Sequence, residues 1–207
     1  MRLLRLLTFL VFLASRSEGL LALPRPHNVS LGLLNQVTSF PISGYPQLFR
    51  QYHPGIQGSL GWNWKHKTRM SWVQEAHLGY QYHRHVQHGI SLYSSFGPKW
   101  RFGNWNAGIA LAAGYWHSIP ADGVYRSNGD GTFDRTQRFG RPQLVGGFQL
   151  QAGYTTKGLT QWFCRLESLL QTPFVPGYVP VLPLNRLHAG IRIPVHPQIR
   201  PLINPIF

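Results

Sequence analysis

The stretch that decides the fold is Met70–His83, MSWVQEAHLGYQYH. Every second residue, Met70, Trp72, Ala76, Leu78, Tyr80 and Tyr82, is apolar or aromatic, interrupted only by Gln74. The alternate set, Ser71, Glu75, His77, Gln81 and His83, is polar, with Val73 as its exception. Successive strand side chains point to opposite faces, whereas a helix of 3.6 residues per turn would scatter both sets around its axis. The segment is a β-strand with one apolar and one polar side.

The same period recurs on both flanks. Ile56–Lys65 sets Ile56, Leu60, Trp62 and Trp64 against Gln57, Ser59, Asn63 and Lys65, and Leu144–Tyr154 sets Leu144, Phe148, Leu150, Ala152 and Tyr154 against Gln149 and Gln151. Leu159–Gln171 opposes Trp162, Cys164, Leu166 and Leu170 to Gln161, Arg165, Glu167 and Gln171, and Leu187–Ile193 opposes Leu187, Ala189, Ile191 and Ile193 to His188 and Arg192. Val86–Gly97 and Asn104–His117 alternate less cleanly, and Ser30–Phe40 has no clear face. Counting all of them gives eight strands, the smallest even number for an outer-membrane barrel.

The spacing predicts short connections at 66–68, 98–103 and 156–158 on one side. The other side carries 41–53, 84–85, 118–141 and 172–183, three of them long. Short periplasmic turns alternating with long outer loops are the outer-membrane arrangement. No stretch after the N-terminal one approaches the roughly 20 apolar residues of a transmembrane helix, so a membrane form must cross with strands.

Composition agrees. Of the 207 residues 13% are charged and 14% aromatic, with 22 glycines, and the single Cys164 excludes an intrachain disulfide. The net charge of +14 is spread over isolated lysines and arginines rather than clustered, which argues against nucleic acid and for a surface beside acidic lipid headgroups. At the N-terminus, Arg2 and Arg5 precede the apolar run Leu6–Ala14, and Ser17 and Gly19 stand at −3 and −1 of a cleavage site before Leu20. Residues 1–19 therefore read as a secretory signal peptide, 20–29 as a lead-in, 30–194 as the barrel and 195–207 as a proline-rich tail.

A soluble, lipocalin-like barrel would turn the apolar face inward. Trp62, Trp64, Trp72, Tyr80, Tyr82, Trp105, Tyr115, Phe148, Tyr154 and Trp162 would overfill an eight-stranded interior, which is only wide enough for ordinary side chains. Facing lipid, the same residues fall near strand ends, where Trp and Tyr favour the headgroup interface. The polar set then lines the lumen: Asn63, Glu75, His77, Gln81, Gln149, Gln151, Arg165, Glu167, His188 and Arg192. Two carboxylates with two arginines among amides predict a plugged, hydrogen-bonded interior.

Over residues 30–194 this pattern resembles the small outer-membrane β-barrel proteins of Gram-negative bacteria, a class that includes the transmembrane domain of outer-membrane protein A and the lipid A deacylase barrels. The resemblance implies an outer-membrane location and outer-membrane lipid as the surrounding partner. In that class the last strand ends on an aromatic residue. This chain ends on Phe207, but Pro197, Pro201 and Pro205 exclude a strand there.

The deacylase barrels carry a His and a Ser two residues apart on one outward face with a carboxylate nearby. Here His117 and Ser118 are adjacent, so in a strand they point to opposite faces, and Glu75 and Glu167 belong to the polar set. His83, His85 and His77 have the alternate spacing that chelates a metal from a strand, without a nearby carboxylate or cysteine to complete a site. Ser127–Asp134, SNGDGTFD, lacks the ligand series of a calcium loop, and Asn128-Gly129 and Asp130-Gly131 are hairpin turn formers. Tyr125 and Phe133 are expected to face each other across that turn. No catalytic, cofactor-binding or metal-binding residue is assigned. The leading function is structural or interactive, through the outer loops. A lipid-modifying barrel hydrolase and a soluble ligand-binding barrel are the alternatives.

Overall fold

A computed structural model describes residues 24–195 except 68, 85–86, 122–123, 137–138, 157–159 and 175–178. The signal peptide expected at 1–19 and nearly all of the proline-rich tail lie outside the described residues. Among the described residues there are ten strands: β1 Asn28–Thr38, β2 Pro54–His66, β3 Met70–Tyr82, β4 Gln87–Phe102, β5 Trp105–Pro120, β6 Val124–Ser127, β7 Phe133–Thr136, β8 Arg141–Thr155, β9 Gln161–Thr172 and β10 Leu182–Pro194. Eight of them close an antiparallel barrel in the order β1-β10-β9-β8-β5-β4-β3-β2, and β6 and β7 form a separate hairpin. Each barrel strand pairs with its neighbours in sequence, and β1 meets β10 from Asn28↔Pro194 to Thr38↔Leu184, so no edge is left free.

The faces fall as the alternation requires. Leu78, Tyr80 and Tyr82 of β3 are exposed on the outside while Glu75, His77 and Gln81 are buried in the lumen. β1, whose face was ambiguous, turns Val29, Leu31 and Leu33 outward and Ser30, Leu34 and Gln36 inward. At the end with short connections the exterior carries Trp64, Phe102, Trp105, Tyr154 and Trp162, with Trp105 and Tyr154 edge to face at 5.0 Å. At the other end stand Tyr80, Tyr82 and Tyr115. Between these two girdles the wall is Leu31, Leu33, Leu60, Leu78, Leu92, Ile109, Leu111 and Leu150, all exposed.

Two expectations are corrected. The connection placed at 98–103 is only Gly103-Asn104, because β4 runs on to Phe102 and Gly103 makes the turn with φ +61°. Pro98 does not end the strand. It still pairs with Trp72 of β3, whereas on the β5 side the register lapses at Gly97 and Pro98, where proline has no N–H to give. Asn63 stands at the mouth of the lumen rather than within it: it pairs with the inward Val73, but it lies exposed at the rim, just before β2 bulges between Asn63 and Lys65.

Toward the end with long connections the lumen becomes apolar. Tyr93, Ala112, Trp116, Val145, Leu169 and Leu184 pack together inside the barrel. Trp116 fits because its indole lies against Gly89 of β4, diagonal to its partner Ser91, where a Cβ would fall 2.3 Å from the indole Cζ2.

Candidate functional site

Inward residues from β3, β8, β9 and β10 meet at mid-barrel. Arg165 Nη2 and Arg192 Nη2 each donate to Glu75 at 2.5 Å, and both donate to Gln151 Oε1 at 3.1 Å. Arg165 Nη1 and Gln57 Nε2 approach His77 Nδ1 at 3.2 and 2.9 Å, which makes Nδ1 the acceptor and leaves Nε2–H to donate to Ser95 Oγ at 2.8 Å. Gln149 Nε2 also donates to Ser95 Oγ.

A second carboxylate, Glu167, accepts from the Tyr93 hydroxyl at 2.7 and 2.9 Å. Arg186 Nη1 stands 3.5 Å from it and His188 Nε2 3.1 Å, while Arg165 Nη1 at 3.8 Å ties the two clusters together. Arg186 also donates to Gln36 and lies over the Trp116 ring at 4.6 Å. Lys99 donates to Gln161 beside this network. Three buried guanidiniums thus face two buried carboxylates, with the half-buried Lys99 ammonium beside them. Buried charges persist only when paired in this way.

Among the described residues this network packs the middle of the lumen. A cavity of about 20 Å³ beside Glu75, Ser95, Lys99 and Gln149 has room for one water molecule and offers it the otherwise unpartnered Gln149 Oε1. Glu75, His77, Gln81, Gln149, Gln151, Arg165, Glu167, His188 and Arg192 lie inside as their alternation predicts, whereas Arg186, Tyr93 and Lys99 are inward residues that the alternation does not reveal. The expected two arginines are three.

On the outside, His117 and Ser118 separate as expected. His117 faces out, where its Nδ1 meets the Tyr115 hydroxyl at 2.7 Å and its Nε2 the Phe139 carbonyl at 2.8 Å, so both ring nitrogens are engaged. Ser118 is buried in the lumen and donates to Gln87. The histidine set also divides. His77 lies in the lumen, His83 stacks on His53 of the preceding outer loop at 3.8 Å, and His85 lies outside the described residues. Among the described residues no group of three or more His, Cys, Asp or Glu is placed to hold a metal.

The 118–141 loop does contain a hairpin. Its register pairs Tyr125 with Arg135 and Phe133 with Ser127, so Tyr125 and Phe133 are not directly opposed, and the turn is longer than assumed. The turn spans 128–132, with Gly129 and Gly131 at φ +83° and +86°. Asp130 Oδ1 accepts from both the hydroxyl and the backbone N–H of Thr132, which holds its carboxyl below the ordinary carboxylate range.

An apolar wall between two aromatic girdles, closed around a filled polar interior, defines the class: this is a small outer-membrane β-barrel. Neither a protein-family model nor a curated protein matches the sequence. Among solved structures, the outer membrane enzyme PagL superposes with a TM-score of 0.48 at 12% identity, over 81% of this chain and 99% of that one. The N-terminal barrel domain of Pseudomonas aeruginosa OprF gives 0.38 at 14%, over 81% and 98%. Yersinia pestis Ail gives 0.37 at 12%, over 81% and 99%. At these identities the likeness is one of fold alone.

Proposed function

We propose that this protein is a closed, non-conducting barrel of the outer membrane whose role is interaction, exercised by the segments it holds outside the cell. The observation that carries this reading is the division of labour in the chain. The lumen is occupied by a paired charge network and an apolar cluster, while β6 and β7 form a sheet of their own beyond the barrel wall. A filled eight-stranded barrel is a rigid post, and a hairpin standing on it is the element free to meet a partner.

Two measurements test it together. Trypsin added to intact cells should cut at Arg126 or Arg135 of the hairpin and leave the barrel whole, and the purified barrel in a planar bilayer should show no discrete conductance steps. Regular conductance steps, or a hairpin cut only after the periplasm is opened, would defeat the reading.

A further inference from the structure

The β1–β2 connection does not rise away from the barrel. Residues 39–53 fold back as a ledge against the outside of the wall, across β1, β10 and β9. Beneath it, three outward positions that share one row of the register, Val37, Asn185 and Ser168, are 1%, 0% and 3% exposed. Asn185 donates to the Ser39 and Phe40 carbonyls at 2.8 and 3.1 Å, and Tyr45 reaches across β10 to the Ser168 hydroxyl at 2.8 Å. One row nearer the short-connection end, Asn35 donates to the carbonyls of Leu48 and Gln51, both at 2.7 Å, and accepts from the His53 N–H. Three polar side chains on a mainly apolar exterior thus hold this segment down.

The far side of the ledge is greasy. Phe40, Ile42, Phe49 and Tyr52 are 74%, 76%, 80% and 78% exposed. Ile42 keeps a β-branched side chain at φ +67°, a conformation that favours glycine or asparagine. This apolar surface continues the lipid-facing wall. Leu33 lies on one side of it along β1, and on β9 Leu170 lies beyond Ser168 toward the outer end and is still exposed. The ledge therefore sits within the height of the apolar belt.

Much of its backbone is satisfied within the protein. The N–H groups of Ser43, Gly44, Tyr45, Gln47, Arg50 and Gln51 all bond to carbonyls within the ledge, and Pro41 and Pro46 have none to satisfy. Irregular chain survives at membrane depth only where its polar groups are met by protein.

We propose that residues 39–53 form a lipid-seated ledge, with Phe40, Ile42, Phe49 and Tyr52 inserted in the outer leaflet and Arg50 directed to its headgroups. This rests on the membrane-barrel reading and adds to it a contact surface for lipid made by a loop. A long side chain such as Arg50 reaches the interface from an apolar anchor point.

The test uses the full mature chain with Cys164→Ser, refolded into phosphatidylcholine–phosphatidylglycerol vesicles and carrying one nitroxide label at a time. The labelled sites are Phe49→Cys and Ile42→Cys, with Leu33→Cys on the wall and Phe133→Cys on the hairpin as references, each verified as folded by its gel mobility. Labels at Phe49 and Ile42 should meet dissolved oxygen several-fold more readily, relative to a water-soluble nickel chelate, than the label at Phe133, and should resemble Leu33. If both ledge labels resemble Phe133 while Leu33 reads as lipid, the ledge proposal fails and the barrel reading stands. If Leu33 also reads as water, both fail. Spin–spin broadening at Phe49 with loss of oxygen access would overturn the proposal in favour of a second copy of the chain on that surface.

Discussion

Replacing Glu75 by glutamine removes one charge from the lumen and nothing from its shape. In the native barrel Arg165 and Arg192 each donate to this carboxylate at 2.5 Å, and their other shared acceptor is Gln151 Oε1 at 3.1 Å. Removing one partner of a buried ion pair costs about 3–5 kcal/mol, because the other charge stays buried without compensation. The new side chain still presents one carbonyl oxygen, which serves one guanidinium, and Arg165 keeps Glu167 at 3.8 Å. The expected loss is therefore that of one broken pair, about 3–5 kcal/mol, and not twice as much. Glu167→Gln should cost less, about 1–3 kcal/mol, since Arg186 stands 3.5 Å away and retains both Gln36 and the Trp116 ring. Adding Arg192→Gln to Glu75→Gln removes the stranded cation and should recover part of the loss. Urea titration of the refolded protein in vesicles, followed by the unheated gel band, reads all three variants. A Glu75→Gln barrel within about 0.5 kcal/mol of the native one, or a double variant weaker than the single, would refute this account of the lumen.

Other consequences follow from the two faces. Leu150→Arg points into mid-bilayer and should cost about 2–4 kcal/mol, whereas Gln149→Glu, one residue away, faces a lumen with excess positive charge and should cost less; the reverse order in urea titration would mean that inside and outside are exchanged. Asn185→Ala removes the donor that holds the ledge at Ser39 and Phe40 and should lower stability by about 2 kcal/mol while making residues 39–53 a site of protease cutting; a ledge equally resistant without Asn185 would show that its hydrogen bonds do not fasten it. Ser118→Ala should leave the lipid profile of the host unchanged in mass spectrometry, since Ser118 faces the lumen; an acyl chain lost from membrane lipid only when Ser118 is present would establish the hydrolase reading instead.

The middle of each strand was legible because its two faces meet two solvents, lipid and a polar lumen, and a period of two follows. The outer ends were not, because the polarity inverts there. Leu184 and Leu169 point inward to the cluster around Trp116, while Asn185 and Ser168 point outward beneath the ledge. Read locally, Leu184-Asn185-Arg186 has no face, so Arg186 was lost from the lumen set. What makes Asn185 tolerable outside is a loop nearly 150 residues earlier in the chain, at Ser39 and Phe40. Tyr93 and Trp116 are hidden for a related reason: a large aromatic fits the lumen because a glycine lies against it, Gly114 opposite Tyr93 and Gly89 beneath the Trp116 indole. The chemistry of the lumen charges was visible in residue type, but which arginine serves which carboxylate depends on closure of β1 against β10.

Everything described for this molecule depends on the closed barrel being its membrane-borne form. The measurement is gel mobility of the protein taken from the outer-membrane fraction, unheated beside boiled. A barrel with no free edge resists detergent until heated, so the unheated protein should run ahead of the boiled one and should be found with the membrane. A protein recovered in the soluble periplasmic fraction, with the same mobility in both lanes, would contradict it.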